Sequence, residues 1–214
     1  MRYSLLLTIL RCIFVLLMLR VLVAIVANYP DYFPPRFDSL FLEGREATFQ
    51  GMYCVAFYIH IFVGPIVLIN GLILLSETIR KRCGKLHRML GRVQVAVLVC
   101  LLLPSSLVMS QHAFGGWPAG LSFALLSLLT GICAILGVKY ARERKFAHHR
   151  RWMMRTFILL CSAVVLRLIS GLLDTIKVSH PEIAYITASW CSWLIPLLIF
   201  ETASTMTIAQ YFKI

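Results

Sequence analysis

Residues 119–139 read AGLSFALLSLLTGICAILGVK, twenty uncharged positions closed by Lys139. At 1.5 Å of rise per residue, such a run makes a helix about 30 Å long, the thickness of a bilayer's hydrocarbon core. A water-soluble helix shows a polar face, and this one has none. Working outward, five more stretches pass the same test: 5–27, 52–76, 90–110, 152–174 and 185–212. The expected fold is therefore an all-α polytopic membrane helix bundle of about six transmembrane helices. It is read as one membrane domain over 1–214, with the first helix (5–27) peripheral to a core of helices over 52–212. Arg2 precedes the first stretch as in a signal peptide, but Arg11 and Arg20 interrupt it, and it reads as a retained helix.

Composition agrees. Hydrophobic residues make up 60% of the 214 positions, with a mean hydropathy of +0.84, against roughly 45–50% in a soluble domain. The net charge of +12 does not imply nucleic acid, because no soluble domain is present to carry a basic patch. Its distribution instead sets the orientation. The 77–92 connection holds Arg80, Lys81, Arg82, Lys85, Arg88 and Arg92. The 139–155 connection holds Lys139, Arg142, Arg144, Lys145, Arg150, Arg151 and Arg155. With Arg2 and Lys213 these place 15 of the 21 basic residues on one side. Short basic loops face the cytoplasm, so both termini are expected there; which membrane is involved does not follow. The long outer connection, 28–51, carries Pro30, Pro34 and Pro35 among aromatics and reads as a cap or partner surface.

Seven cysteines stand singly, without the spacing of a disulfide framework or a zinc site. No H-E-x-x-H, Gly-x-Ser-x-Gly, Walker or Rossmann pattern occurs, so hydrolase and nucleotide chemistry have no basis and no catalytic residue is assigned. The informative residues are ionisable groups within the apolar stretches, where each costs about 2.5–3.5 kcal/mol. Arg20, His60 and Arg167 fall at one depth, about 10–12 Å from the outer ends of their helices. Glu201 is expected nearer the midplane, neutralising one of those arginines. Snorkelling and interhelical hydrogen bonds account for such a set; so does a shared polar cavity for an anionic group. Gly64, one turn from His60 on the same face, would let a flat ligand or another backbone approach.

Three motifs carry a resemblance. Tyr58-Ile59-His60-Ile61-Phe62-Val63-Gly64, Leu86-His87-Arg88-Met89-Leu90-Gly91-Arg92-Val93 and Ala147-His148-His149-Arg150-Arg151-Trp152-Met153 resemble the predicted membrane proteins of domain of unknown function 2306. The likeness covers about residues 55–205, including Leu166-Arg167-Leu168 and the stretch from Trp190 to Glu201. More loosely, the chain is similar to cytochrome b561 and ferric-reductase-like bundles, in which histidines on core helices hold b-type haem. In that resemblance His60, His87 and His149 (or His148) would sit on the second, third and fifth helices as haem-binding histidines; the fourth helix lacks the histidine those bundles have, so the resemblance implies at most one haem.

That resemblance implies haem b between His87, opening the third helix, and His149 (His148 as substitute), opening the fifth. Both helices run outward, so these histidines match in depth, whereas His60 and His112 differ by about 10 Å. Arg88, Arg92, Arg150 and Arg155 would then pair with the propionates. An electron carrier with a redox partner is one expectation, and oxidoreductase chemistry would require that haem. The competing one is a non-enzymatic protein that binds or moves a small molecule or lipid. A third is a scaffold subunit whose basic inner loops dock partners or anionic lipid headgroups.

Overall fold

The computed structural model describes residues 2–39, 41–177 and 179–211. Among them all regular structure is helical, as a chain immersed in lipid requires, since only a helix or a closed barrel satisfies every backbone group there. Six helical segments are long and apolar enough to cross a membrane: Thr8–Asp31, Gly51–Leu75, Gly84–Ser110, Gly116–Arg142, Phe146–Leu173 and Pro181–Ser204. The chain divides into two compact units, Met1–Phe49 and Gln50–Ile214.

The first unit is helix α1 (Arg2–Ala27), a 3-10 turn at Tyr29–Asp31 and a series of turns. Arg36 ties the turns together, reaching Asp31 at 3.3 Å and Asp38 at 3.0 Å. Phe37 stands edge-on to Phe49 at 5.7 Å, and the Arg45 guanidinium lies over the Phe41 ring at 5.1 Å. The proline-rich connection over 28–51 is thus a folded segment among the described residues.

The second unit contains α2 (Gly51–Leu75), α3 (Glu77–Arg82), α4 (Gly84–Val97), α5 (Leu103–Ser110), α6 (Gly116–Arg142), α7 (Phe146–Leu160), α8 (Ser162–Thr175) and α9 (Pro181–Tyr211). A π-helical turn, Leu98–Leu102, joins α4 to α5. Its cause is in the sequence: Pro104 has no N–H to offer the carbonyl of Cys100, and widening the preceding turn absorbs the mismatch. The helices also start earlier than hydropathy alone marks. The third span begins at Gly84 instead of 90 and the fifth at Phe146 instead of 152. Lysine and arginine are good helix formers whose aliphatic stems reach along a helix while their charges stay in the interface. Most of both basic connections is therefore helix, leaving only Glu143–Lys145 between α6 and α7.

Helix α6 sits at the centre, packed against α5, α7 and α9. Its buried residues are all small: Ala119, Gly120, Ser122, Thr130, Gly131, Cys133, Ala134 and Gly137. Lipid supplies no hydrophobic force between helices, so close backbone approach does the work. A Cβ on Gly120 would meet the carbonyl oxygen of Ser110 at 2.5 Å; one on Gly131 would collide with Leu103, and one on Gly137 with Met153. On α9, Trp193 donates its indole N–H to Ser122 at 3.0 Å. At the end opposite the basic connections Phe114 meets Tyr185 edge-on at 5.3 Å, and Trp117 is 79% exposed, an aromatic pattern suited to a membrane interface.

Candidate functional site

Three helices meet at Gly71 of α2. A Cβ there would lie 2.9 Å from the Phe157 ring of α7 and 3.5 Å from the Gln94 amide of α4. Gln94 is buried and satisfied: its amide donates to Val67 O at 2.9 Å, and its carbonyl accepts from Asn70 at 2.8 Å. Helix α2 ends four residues further, at Leu75, about 6 Å along the axis. His87 precedes Gln94 by seven residues and His149 precedes Phe157 by eight, so both lie about 10–12 Å toward the basic connections. They are therefore past the end of α2, at a level where α4 and α7 scarcely meet directly.

His149 is close enough to act electrostatically on His87, as are Arg80 and Arg88. The His149 Nδ1 lies 2.8 Å from the carbonyl oxygen of Gly137. A carbonyl only accepts, so Nδ1 carries the hydrogen and Nε2 keeps its lone pair. The buried Nδ1 of His87 has no hydrogen-bond partner among the described residues. One turn along α4, a Cβ on Gly91 would meet nothing within 4 Å. His148 is exposed and stacked on Tyr140, centroids 5.1 Å apart, so His149 is the inward member of that pair. Arg88, Arg92 and Arg150 are exposed, and Arg150 acts on Glu77 at the start of α3. Both basic connections thus share one end of this unit.

Glu201 belongs to this end too, which corrects the expectation that it sits near the midplane beside Arg20 or Arg167. Helix α9 starts at Pro181, and twenty residues carry it about 30 Å, across the whole hydrocarbon thickness. Its carboxylate accepts from Arg155 Nε at 2.5 Å and Nη2 at 2.9 Å, and from Arg151 Nη2 at 3.1 Å. The Arg155 guanidinium also lies over the Trp152 ring at 4.3 Å. Arg155 is therefore engaged with Glu201, while Arg80, which pairs with Glu77 at 3.7 Å, also acts on His87. Sequence reasoning did not single out Arg151. The i, i+4 spacing of Arg151 and Arg155 put them on one helix face, but nothing in sequence shows that this face meets Glu201.

In the other half of the unit, His60 Nδ1 lies 3.1 Å from Ser106 Oγ. Ser106 donates its own hydrogen to Leu102 O at 2.7 Å, so His60 donates to the serine. Arg167 is near enough to act on His60, and its Nη1 donates to Ala163 O at 3.1 Å. A Cβ on Gly64 would meet only a Leu102 methyl, at 4.0 Å. Arg20, exposed on α1, is in the first unit. His112 stands edge-on to Tyr53 at 5.2 Å, and His180 is exposed.

Among the described residues no group of three or more His, Cys, Asp or Glu side chains is disposed to hold a metal ion. A haem iron needs only two axial nitrogens from protein. His87 and His149 could supply two such nitrogens, and a backbone carbonyl orients His149 in the way metal-binding histidines usually require.

No curated protein and no solved structure matches this chain. A family model does, over residues 57–203, described as a predicted membrane protein (DUF2306). That match includes all three histidine motifs and spans more than half of the sequence, so this integral membrane protein belongs to the DUF2306 family.

Proposed function

We propose that the protein is a membrane electron carrier holding one b-type haem at its basic end, with His87 and His149 as axial ligands. The observation that supports this reading is the placement of those two histidines at one level past the end of α2, with His149 Nδ1 tied to Gly137 O. A haem there would supply one-electron chemistry. This chain's own residues would do the rest. Gly137 O fixes the tautomer of His149, Gly91 leaves room beside His87, and Arg80, Arg88 and Arg150 offer cations to the propionates. The looser likeness to cytochrome b561 bundles gains nothing from curated relatives or solved structures, so the proposal rests on local chemistry. In this reading the basic end faces the cytoplasm, where a redox partner would dock.

The test is an absorption spectrum of protein purified in detergent from cells with ample haem, oxidised and then reduced. A low-spin b-type spectrum is expected in the parent and its loss in both His87→Ala and His149→Ala, while His148→Ala retains it. A parent without haem bands removes this reading.

A second reading has its own observation. His60 and Arg167 approach one another from α2 and α8, helices that scarcely touch. A protein that binds or moves a small amphiphile would use such a polar pair between loosely packed helices. A colourless protein would leave this as the better account.

A further inference from the structure

At the basic end, Arg151, Arg155 and Glu201 bring two positive charges to one negative. Arg155 presents Nε and Nη2 to the carboxylate and stacks on Trp152, which makes a closed, neutral pair. Arg151 has only what is left. Its Nη2 shares Glu201 Oε2 with Arg155, and its buried Nε has no acceptor among the described residues. A buried guanidinium N–H without a partner is costly, and so is an uncompensated charge at a membrane helix end. Both costs fall away if an oxygen-rich anion completes the cluster.

The surroundings indicate which anion. The Arg151 side chain is 31% exposed, so a ligand can reach it. Beyond the cluster, toward the middle of the span, α9 presents the exposed apolar Leu198, one turn from Glu201. A ligand with oxygens at one end and hydrocarbon at the other matches that sequence of surfaces. Two of the other cations at this end are already partnered: Lys145 holds Glu143 at 2.8 Å and Lys81 holds Glu77 at 2.8 Å.

We infer that Arg151, backed by the Arg155–Glu201 pair, is a binding site for a phosphate group, carried by an anionic phospholipid whose chains lie along α9. The site uses neither His87 nor His149 and stands whether or not haem is bound.

The full-length protein would be placed in nanodiscs of phosphatidylcholine alone or with one-fifth phosphatidylglycerol, and the phospholipids retained after transfer to detergent counted by native mass spectrometry (about 20% anionic lipid keeps nonspecific surface attraction modest). One phosphatidylglycerol should be retained selectively. Arg151→Gln should weaken retention about tenfold, the loss of one charge-assisted contact. Arg142→Gln, an exposed basic control at the same end, should leave it unchanged. Glu201→Gln should strengthen it, because the competing carboxylate charge is gone; a merely misfolded variant would not bind more tightly. Equal losses in Arg151→Gln and Arg142→Gln, or equal retention of phosphatidylcholine, would overturn the site. If millimolar inorganic phosphate displaces the lipid and itself binds in an Arg151-dependent way, the lipid is overturned as occupant in favour of the free ion.

Discussion

Replacing Glu201 by glutamine keeps the side chain's shape and removes the one negative charge that α9 sets against Arg151 and Arg155. Three charge-assisted hydrogen bonds lose their ionised acceptor. Breaking a fully buried ion pair costs about 3–5 kcal/mol because the surviving charge is stranded. Here the side chains are 32%, 16% and 31% exposed for Glu201, Arg155 and Arg151, so interfacial water screens part of the loss, and about 2 kcal/mol is the reasonable expectation. For a chain of this size that lowers the melting temperature by about 4–8 °C. The partners should differ in an instructive way. Arg155→Gln strands the carboxylate and should cost about as much as Glu201→Gln. Arg151→Gln leaves the Arg155–Glu201 pair closed and removes a guanidinium whose Nε is unsatisfied, so its cost should stay below about 1 kcal/mol. Apparent melting temperatures in one detergent at one scan rate, followed by tryptophan fluorescence, measure all three; Trp152 beside Arg155 is a local reporter. An Arg151→Gln as damaging as Glu201→Gln would refute this division of labour, and a Glu201→Gln shift under about 1 °C would refute the estimate.

Two further outcomes follow from packing and topology. Gly120→Ala should destabilise by about 1–3 kcal/mol because its Cβ would press on the backbone carbonyl of Ser110, whereas Gly137→Ala presses on the flexible end of Met153 and should cost less; the reverse order in thermal melts would contradict the close approach of α5 and α6. Cys83, exposed between α3 and α4, should resist an impermeant maleimide in intact cells and react once they are permeabilised, and labelling of intact cells would invert the orientation drawn from the basic loops.

Six apolar stretches were legible because lipid leaves the backbone a single local solution, and a run of twenty apolar residues says where it applies. The helix ends were less legible. Hydropathy falls at Arg92 and at Arg151, yet the backbone continues as helix from Gly84 and Phe146, since charge governs where a side chain sits and not whether the residue is helical. Pro104 did announce the widened turn at Leu98–Leu102, through a missing N–H that any reading of the third stretch contains.

Site residues divide along the same line. Equal depth on two helices of the same direction was the ground for considering His87 with His149, and both lie at the basic end because axial rise is fixed by the backbone. Rotation about the axis is not so fixed. Whether His148 or His149 turns inward depends on Tyr140 taking one ring and the Gly137 carbonyl the other. Glu201 shows the limit of depth alone: counted from 185 or from Pro181 it lies past the midplane, at about 24 or 30 Å, and its bonds to Arg151 and Arg155 come from packing. The Arg151–Arg155–Glu201 cluster joins residues some fifty positions apart in sequence, and such a junction is set by which faces of α7 and α9 the small residues of α6 allow to meet. The basic end therefore holds two histidines at matching depth and an arginine cluster that only packing reveals, and they can be perturbed independently because they share no side chain.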